Sequence, residues 1–82
     1  MMWKVVNNDR TGVLLEQEGV KVAVTPNGNV ALDPHGDCSD SKGVVREGMF
    51  IGEVSEERMG YFRDGFVVSK EMSEEIDNLL LG

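Results

Sequence analysis

Apolar and polar residues alternate along residues 20–32, and this alternation predicts an antiparallel β-hairpin. Valine occupies every second position of residues 20–24, so the three valines share one face of a strand. Asn27-Gly28 follows, a pair typical of tight hairpin turns because both residues tolerate positive φ. Residues 30–32 then place two aliphatic side chains on one face of the returning arm. We therefore expect the chain to reverse at Asn27-Gly28.

Shorter apolar runs predict further strands on both sides of this hairpin. Polar clusters that end in glycine separate several of these runs, which is typical of tight turns and bulges. Asp64-Gly65 is such a turn signal, and it predicts a second hairpin over residues 61–68. The other predicted strand segments are residues 3–6, 13–15, 44–46 and 49–51, with Val54 after them.

Two stretches interrupt the strand pattern. Residues 33–43 contain no large aliphatic side chain, so we expect a long and mobile loop there. Residues 55–58 read Ser-Glu-Glu-Arg, which predicts a charged turn or a single helical turn.

The apolar period changes from that of a strand to that of a helix near the end of the sequence. Four apolar side chains recur at positions i, i+4, i+7 and i+8, which lie on one face of a helix. Ser69 or Ser73 can cap the N-terminus of this helix. A helix this short is only marginally stable alone, so it must pack on the sheet or on a partner. The residues of this apolar stripe are Met72, Ile76, Leu79 and Leu80.

Together these elements predict a mainly β fold. About five to six antiparallel strands would form a small barrel or a curled meander, with a short helix at the C-terminal end. A two-layer α+β arrangement, with the helix on one face of the sheet, is the alternative. A chain of 82 residues is long enough for one small core, so we expect residues 1–82 to form a single domain.

The charge of the chain narrows the range of partners. Its formal net charge is −7 at pH 7, from 15 acidic and 8 basic side chains. Such a charge disfavours nucleic acids and anionic membranes, and it leaves basic surfaces, cations or other proteins as partners. The one cysteine cannot form an internal disulfide, and neither a signal peptide nor a membrane-spanning run is evident. We therefore expect a cytoplasmic protein that binds neither nucleic acid nor membrane.

Residues 33–40 contain residue types from which metal sites and nucleophiles are built. The spacing of the acidic residues does not match that of a calcium-binding loop. A structural zinc site needs four cysteine or histidine ligands, and only His35 and Cys38 are of these types. Cys38 also lies between Asp37 and Asp40, whose charges raise the pKa of a thiol and make it a poor nucleophile. The sequence therefore predicts no metal, no cofactor and no catalytic residue, and so no enzyme.

A binding function fits this sequence better than catalysis. We expect a small acidic regulator or inhibitor that acts by protein–protein interaction with a partner whose surface is basic. The alternative is a structural subunit of a homo-oligomer or of a larger assembly. Aromatic side chains are enriched at protein interfaces, so one tyrosine joins the acidic candidates. The candidate partner-binding residues are Asp33, Asp37, Asp40, Glu53, Glu56, Glu57 and Tyr61.

Overall fold

The computed structural model describes residues 2–60 and 65–81, and its main element is one antiparallel β-sheet. Five strands lie side by side in chain order. The first and last strands remain at opposite edges, so the sheet is open. The predicted mainly β meander is confirmed, and the barrel is not formed. The strands are β1 (Lys4–Asp9), β2 (Gly12–Gln17), β3 (Val20–Val24), β4 (Asn29–Leu32) and β5 (Met49–Glu53).

Three helical segments accompany the sheet in the described part of the chain. They are α1 (Ser41–Glu47), a 3-10 turn (Glu56–Arg58) and α2 (Lys70–Leu81). The 3-10 turn confirms the single helical turn predicted between β5 and the C-terminal helix.

The hairpin predicted over residues 20–32 is confirmed as β3 and β4. Its aliphatic side chains lie opposite one another, as Val22 and Leu32 do. The N–H of Gly28 donates a hydrogen bond of 2.9 Å to the carbonyl oxygen of Thr25, which closes the turn at the predicted place.

Helices cover both faces of this sheet. On one face, alternate residues of the central strands pack against Met72 and Ile76 of α2. On the other face, Leu14 and two alanines pack against Val44 of α1 in a smaller core. Because side chains alternate between faces along a strand, the central strands are buried on both sides.

The sequence-based predictions for residues 41–46 are wrong: residues 44–46 belong to α1 and not to a strand, and residues 41–43, predicted as the end of the loop, begin the same helix. Asp40 caps this helix: its Oδ1 accepts the N–H of Gly43 at 2.8 Å, which satisfies one of the unpaired donors of the first turn. Valine and glycine are weak helix formers, so the local sequence does not indicate the helix. Burial of Val44 on the sheet, with Val45 exposed, outweighs that preference.

The helix predicted from the apolar stripe is confirmed as α2. Met72 and Ile76 are fully buried, and the other two residues of the stripe are partly buried against the same core. Ser69 is the capping serine, since its Oγ accepts the N–H of Met72 at 3.1 Å. Of the hairpin predicted at residues 61–68, residues 61–64 lie outside the described residues, and the predicted returning arm, residues 66–68, is not a strand.

Candidate functional site

Asp33 organises the loop between β4 and α1. Its side chain is only 6% exposed, directly after the last residue of β4. Its Oδ1 accepts the N–H of His35 and its Oδ2 accepts the N–H of Cys38, both at 3.1 Å. The ammonium of Lys21 donates to the carbonyl oxygen of Cys38 at 3.2 Å, and the N–H of Asp33 donates to the carbonyl oxygen of Lys21 at 3.0 Å. These bonds attach the loop to β3.

The environment of Asp33 favours its charged form. Burial acts to raise the pKa of this carboxyl, but the backbone N–H groups of Cys38, His35 and Gly36 outweigh burial and hold the pKa below its usual value. Asp33 is therefore a charged group whose carboxylate stabilises the loop that contains it.

Asp33, Asp37 and Cys38 are the described residues that come close enough to share a metal ion. One potential ligand atom from each lies within 4.8 Å of the others. Burial raises the pKa of the Cys38 thiol, and the charges of Asp33, Asp37 and Glu47 raise it further. The predicted direction of this pKa change is confirmed, although burial, and not the charge of a neighbouring aspartate, is its largest cause. A protonated thiol is a poor metal ligand and a poor nucleophile.

A groove of about 660 Å³ opens on the α2 face of the sheet, beyond the C-terminal end of α2. Val20 and Leu32 contribute its sheet side, and Leu80 and Leu81 contribute the end of the helix. The loop that follows β4 lines it as well, from Asp33 to Gly36. The groove exists because α2 does not cover this end of the sheet, where Val20 is 40% exposed and Leu81 is 88% exposed.

Trp3 lines the same groove and is held against α2 by a hydrogen bond. The indole is buried, and its Nε1 donates a hydrogen bond of 3.0 Å to Oδ1 of Asp77. Asp77 also lines the groove. An aromatic ring and a carboxylate therefore lie together at the groove.

Gln17 is another residue of the groove lining, and its side-chain amide is unusual. Its Oε1 and Nε2 are both shielded from solvent and have no hydrogen-bond partner among the described residues. Buried polar groups are almost always paired in folded proteins, so this amide is an exception.

A second surface, separate from the groove, gathers acidic side chains around Glu75 of α2. Its Oε2 accepts the N–H of Ser55 at 3.0 Å, and its Oε1 lies 3.3 Å from Nε of Arg58. These contacts hold the 3-10 turn against the middle of α2. Glu71 lies one helical turn before Glu75, beside the same segment, since Oγ of Ser69 donates to the carbonyl oxygen of Arg58. We call this surface the acidic face; its residues are Glu53, Glu56, Glu57, Glu71 and Glu75.

The predicted partner-binding residues fall into two groups that the sheet holds apart. Glu53 pairs with Asn29 at one end of β4, whereas Asp33 follows the other end. Four strand residues, or about 13 Å at the rise of a strand, lie between these ends. The two acidic segments therefore do not form one continuous surface.

The exposure of these candidates differs within each group. Glu53, Glu56, Glu57 and Asp37 are exposed. Asp33 is buried, and Asp40 is the cap of α1, so the carboxylates of these two residues bond within the protein. Tyr61 lies outside the described residues.

The groove is the feature that sequence reasoning missed. Gln17 continues the alternation of Val13 and Leu15 along β2, so a polar side chain at this inward position was the available signal. Trp3 and Leu81 are far apart in the sequence, and no local pattern connects them.

The comparisons with known proteins identify no relative. No protein-family model, no curated protein and no solved structure matches this chain. Among residues 2–60 and 65–81, no helix combines the length and the apolar character that crossing a membrane requires.

Proposed function

We propose that the protein is a non-enzymatic binding domain, a small acidic regulator or inhibitor that docks its acidic face on a basic surface of a larger protein. One observation carries the proposal: Glu75 joins the 3-10 turn to α2, so that two acidic segments distant in sequence share one surface. This surface also contains Arg58, which pairs with Glu75, but the exposed glutamates outnumber it, so the surface is negative overall. Charges that lie together produce a local potential, which a scattered arrangement does not.

The geometry of the acidic face suits recognition better than catalysis. Glu53, Glu56 and Glu57 are exposed, and solvated carboxylates of this kind lack the environment that tunes an acid or a base for catalysis. Charge complementarity acts mainly on the association rate, so binding to the partner should weaken as salt rises. The net charge of −7 opposes binding to nucleic acid.

The test compares charge reversal on the acidic face with an equal reversal elsewhere. Decalysine is the basic probe, and the association rate is measured by stopped flow at low and at physiological salt. The variant Glu53→Lys/Glu57→Lys should slow association by about tenfold at low salt. The control, Asp37→Lys/Glu47→Lys, has the same net charge and alters exposed acids outside the face. Equal losses in both variants would mean that only net charge matters, and they would contradict the proposal.

A second candidate function, the structural subunit, is favoured by the edge strand β5. Met49 and Phe50 are 57% and 62% exposed on this strand, and no strand in the described part of the chain pairs with its outer edge. Open edges with apolar side chains are sites of strand pairing between chains. The occupant would be β5 of a second copy.

Mass measurement in solution separates the two functions. A stable oligomer that Phe50→Lys converts to a monomer would favour the structural subunit. A monomer at all concentrations used would favour the regulator, and Val45→Lys, an exposed position on α1, controls for added charge.

A further inference from the structure

The groove at the C-terminal end of α2 is independent of the acidic face. Its volume of about 660 Å³ falls in the range of small-molecule sites, which is about 300–1,000 Å³. Hydrocarbon from Val20, Leu32, Leu80 and Leu81 makes up much of its lining. A ligand that fits this lining has an apolar body.

The charged groups of the groove are acidic. Glu18, Asp33 and Asp77 line it, and no lysine or arginine is among the described residues that do. His35 also lines the groove. The groove therefore favours a cation over an anion.

The C-terminal end of α2 adds to the negative potential in the groove. The helix ends at Leu81, in the lining of the groove, and it has no basic residue in its last turn. The C-terminal end of a helix carries partial negative charge on its carbonyl oxygens, and a lysine or arginine in the last turn usually offsets that charge. Here a cationic ligand would take that role.

Trp3 adds an aromatic side chain to the lining, and aromatic rings attract ammonium and guanidinium groups. Gln17 lines the groove as well, but its Oε1 and Nε2 are shielded from solvent, so the amide does not present a hydrogen-bonding group to a ligand.

We propose that this groove binds an organic cation, a primary amine or a guanidine attached to a hydrocarbon body. The hydrocarbon lies along the aliphatic lining, and the cation lies toward the carboxylates and the end of α2. A free amine and a lysine side chain of a partner protein share this chemistry.

The sole tryptophan of the chain is Trp3, so its fluorescence reports on the groove directly. The probes are hexylammonium, 1-hexanol and hexanoate, which have the same hydrocarbon body and differ in charge. Hexylammonium should produce a saturable change in Trp3 fluorescence, with at least about tenfold weaker binding for hexanol and no saturation for hexanoate. Equal binding of hexanol and hexylammonium would overturn the proposal.

A variant with an added lysine in the groove tests whether the cationic ligand binds there. Leu81→Lys adds an ammonium at an 88% exposed groove position, where the fold does not depend on the leucine. It should weaken hexylammonium binding by about tenfold or more. Asp37→Asn changes the net charge by the same single unit outside the groove lining and should leave binding within about twofold. Equal effects of the two variants would contradict the assignment.

A third probe identifies the source of the cation. Nα-acetyl-lysine methylamide presents a lysine side chain with a peptide backbone on both sides. Tighter binding of this probe than of hexylammonium would assign the groove to a lysine of a partner protein, and weaker binding would assign it to a free amine.

Discussion

The indole Nε1 of Trp3 donates a hydrogen bond of 3.0 Å to Oδ1 of Asp77, and this bond joins residues 74 positions apart in the chain. Trp3 directly precedes β1, and Asp77 lies in α2. The bond therefore ties α2 to the start of the sheet, at the point where both residues line the groove.

This hydrogen bond should show as an energetic coupling. We expect a double-mutant cycle of Trp3→Phe and Asp77→Ala to give a coupling free energy of about 1–2 kcal/mol, because the acceptor is charged and the pair is half-buried. Urea unfolding measures it. Additive single effects would show that the bond contributes nothing to stability.

The buried side chains of α2 should account for most of what this helix contributes to the free energy of unfolding. Ile76→Ala should lower the free energy of unfolding by about 2–5 kcal/mol, because the side chain is fully buried in the core under α2. Each kcal/mol lowers the melting temperature of so small a protein by about 4–8 °C. Leu81→Ala is the control, since that residue is exposed, and it should change stability by less than about 0.5 kcal/mol. Similar melting temperatures for the two variants would mean that α2 is not anchored through Ile76.

Two glycines with similar backbone angles should differ in their tolerance of a side chain. Gly19 has φ +83° with open space around a built Cβ, whereas Gly28 has φ +91° and a Cβ would lie 2.5 Å from the carbonyl oxygen of Val54. Gly19→Ala should cost about 1–2 kcal/mol for the left-handed conformation alone. Gly28→Ala should cost more by at least about 1 kcal/mol, because backbone must move. Chemical denaturation of both variants tests this, and equal costs would refute the close approach.

Asp33 should make stability depend on acid pH. Its pKa in the folded protein lies below that of the unfolded chain, about 3.9, so its stabilisation is present above that value and is lost as the pH falls through the folded pKa. Asp33→Asn should therefore be less stable than the wild type at pH 7, and the difference should shrink below about pH 4. Asp37→Asn, an exposed acid of the same loop, is the control. A difference that stays constant from pH 7 to pH 3 would contradict this role.

Cys38 should react slowly with alkylating agents. Burial first, and then the charges of Asp33, Asp37 and Glu47, raise the pKa of its thiol. Alkylation by iodoacetamide at pH 8 should be slower in the folded protein than in urea, because the thiolate is the reactive form. Asp37→Asn should speed the reaction of the folded protein, whereas Arg46→Gln, which leaves those acids in place, should not. A rate equal to that of the unfolded chain would contradict the raised pKa.

Elements with local signals can be predicted from the amino-acid sequence alone. Alternation around Asn27-Gly28 predicts the β3–β4 hairpin because a strand places every second side chain on one face. The stripe from Met72 to Leu80 predicts α2 because helical spacing brings those residues to one side. The thiol of Cys38 has acidic neighbours in the sequence, so the direction of its pKa change could also be predicted.

Features that depend on residues distant in the sequence could not be predicted in this way, because they arise when the chain folds. Residues 44–46 are helical because Val44 meets the second face of the sheet, which outweighs the weak helix preference of valine. The sheet places Glu53 and Asp33 at opposite ends of β4, and Glu75 brings the 3-10 turn to α2. The groove requires Trp3 to meet the end of α2. Packing and long-range pairing create these relationships, and no local period in the sequence encodes which distant residues will meet.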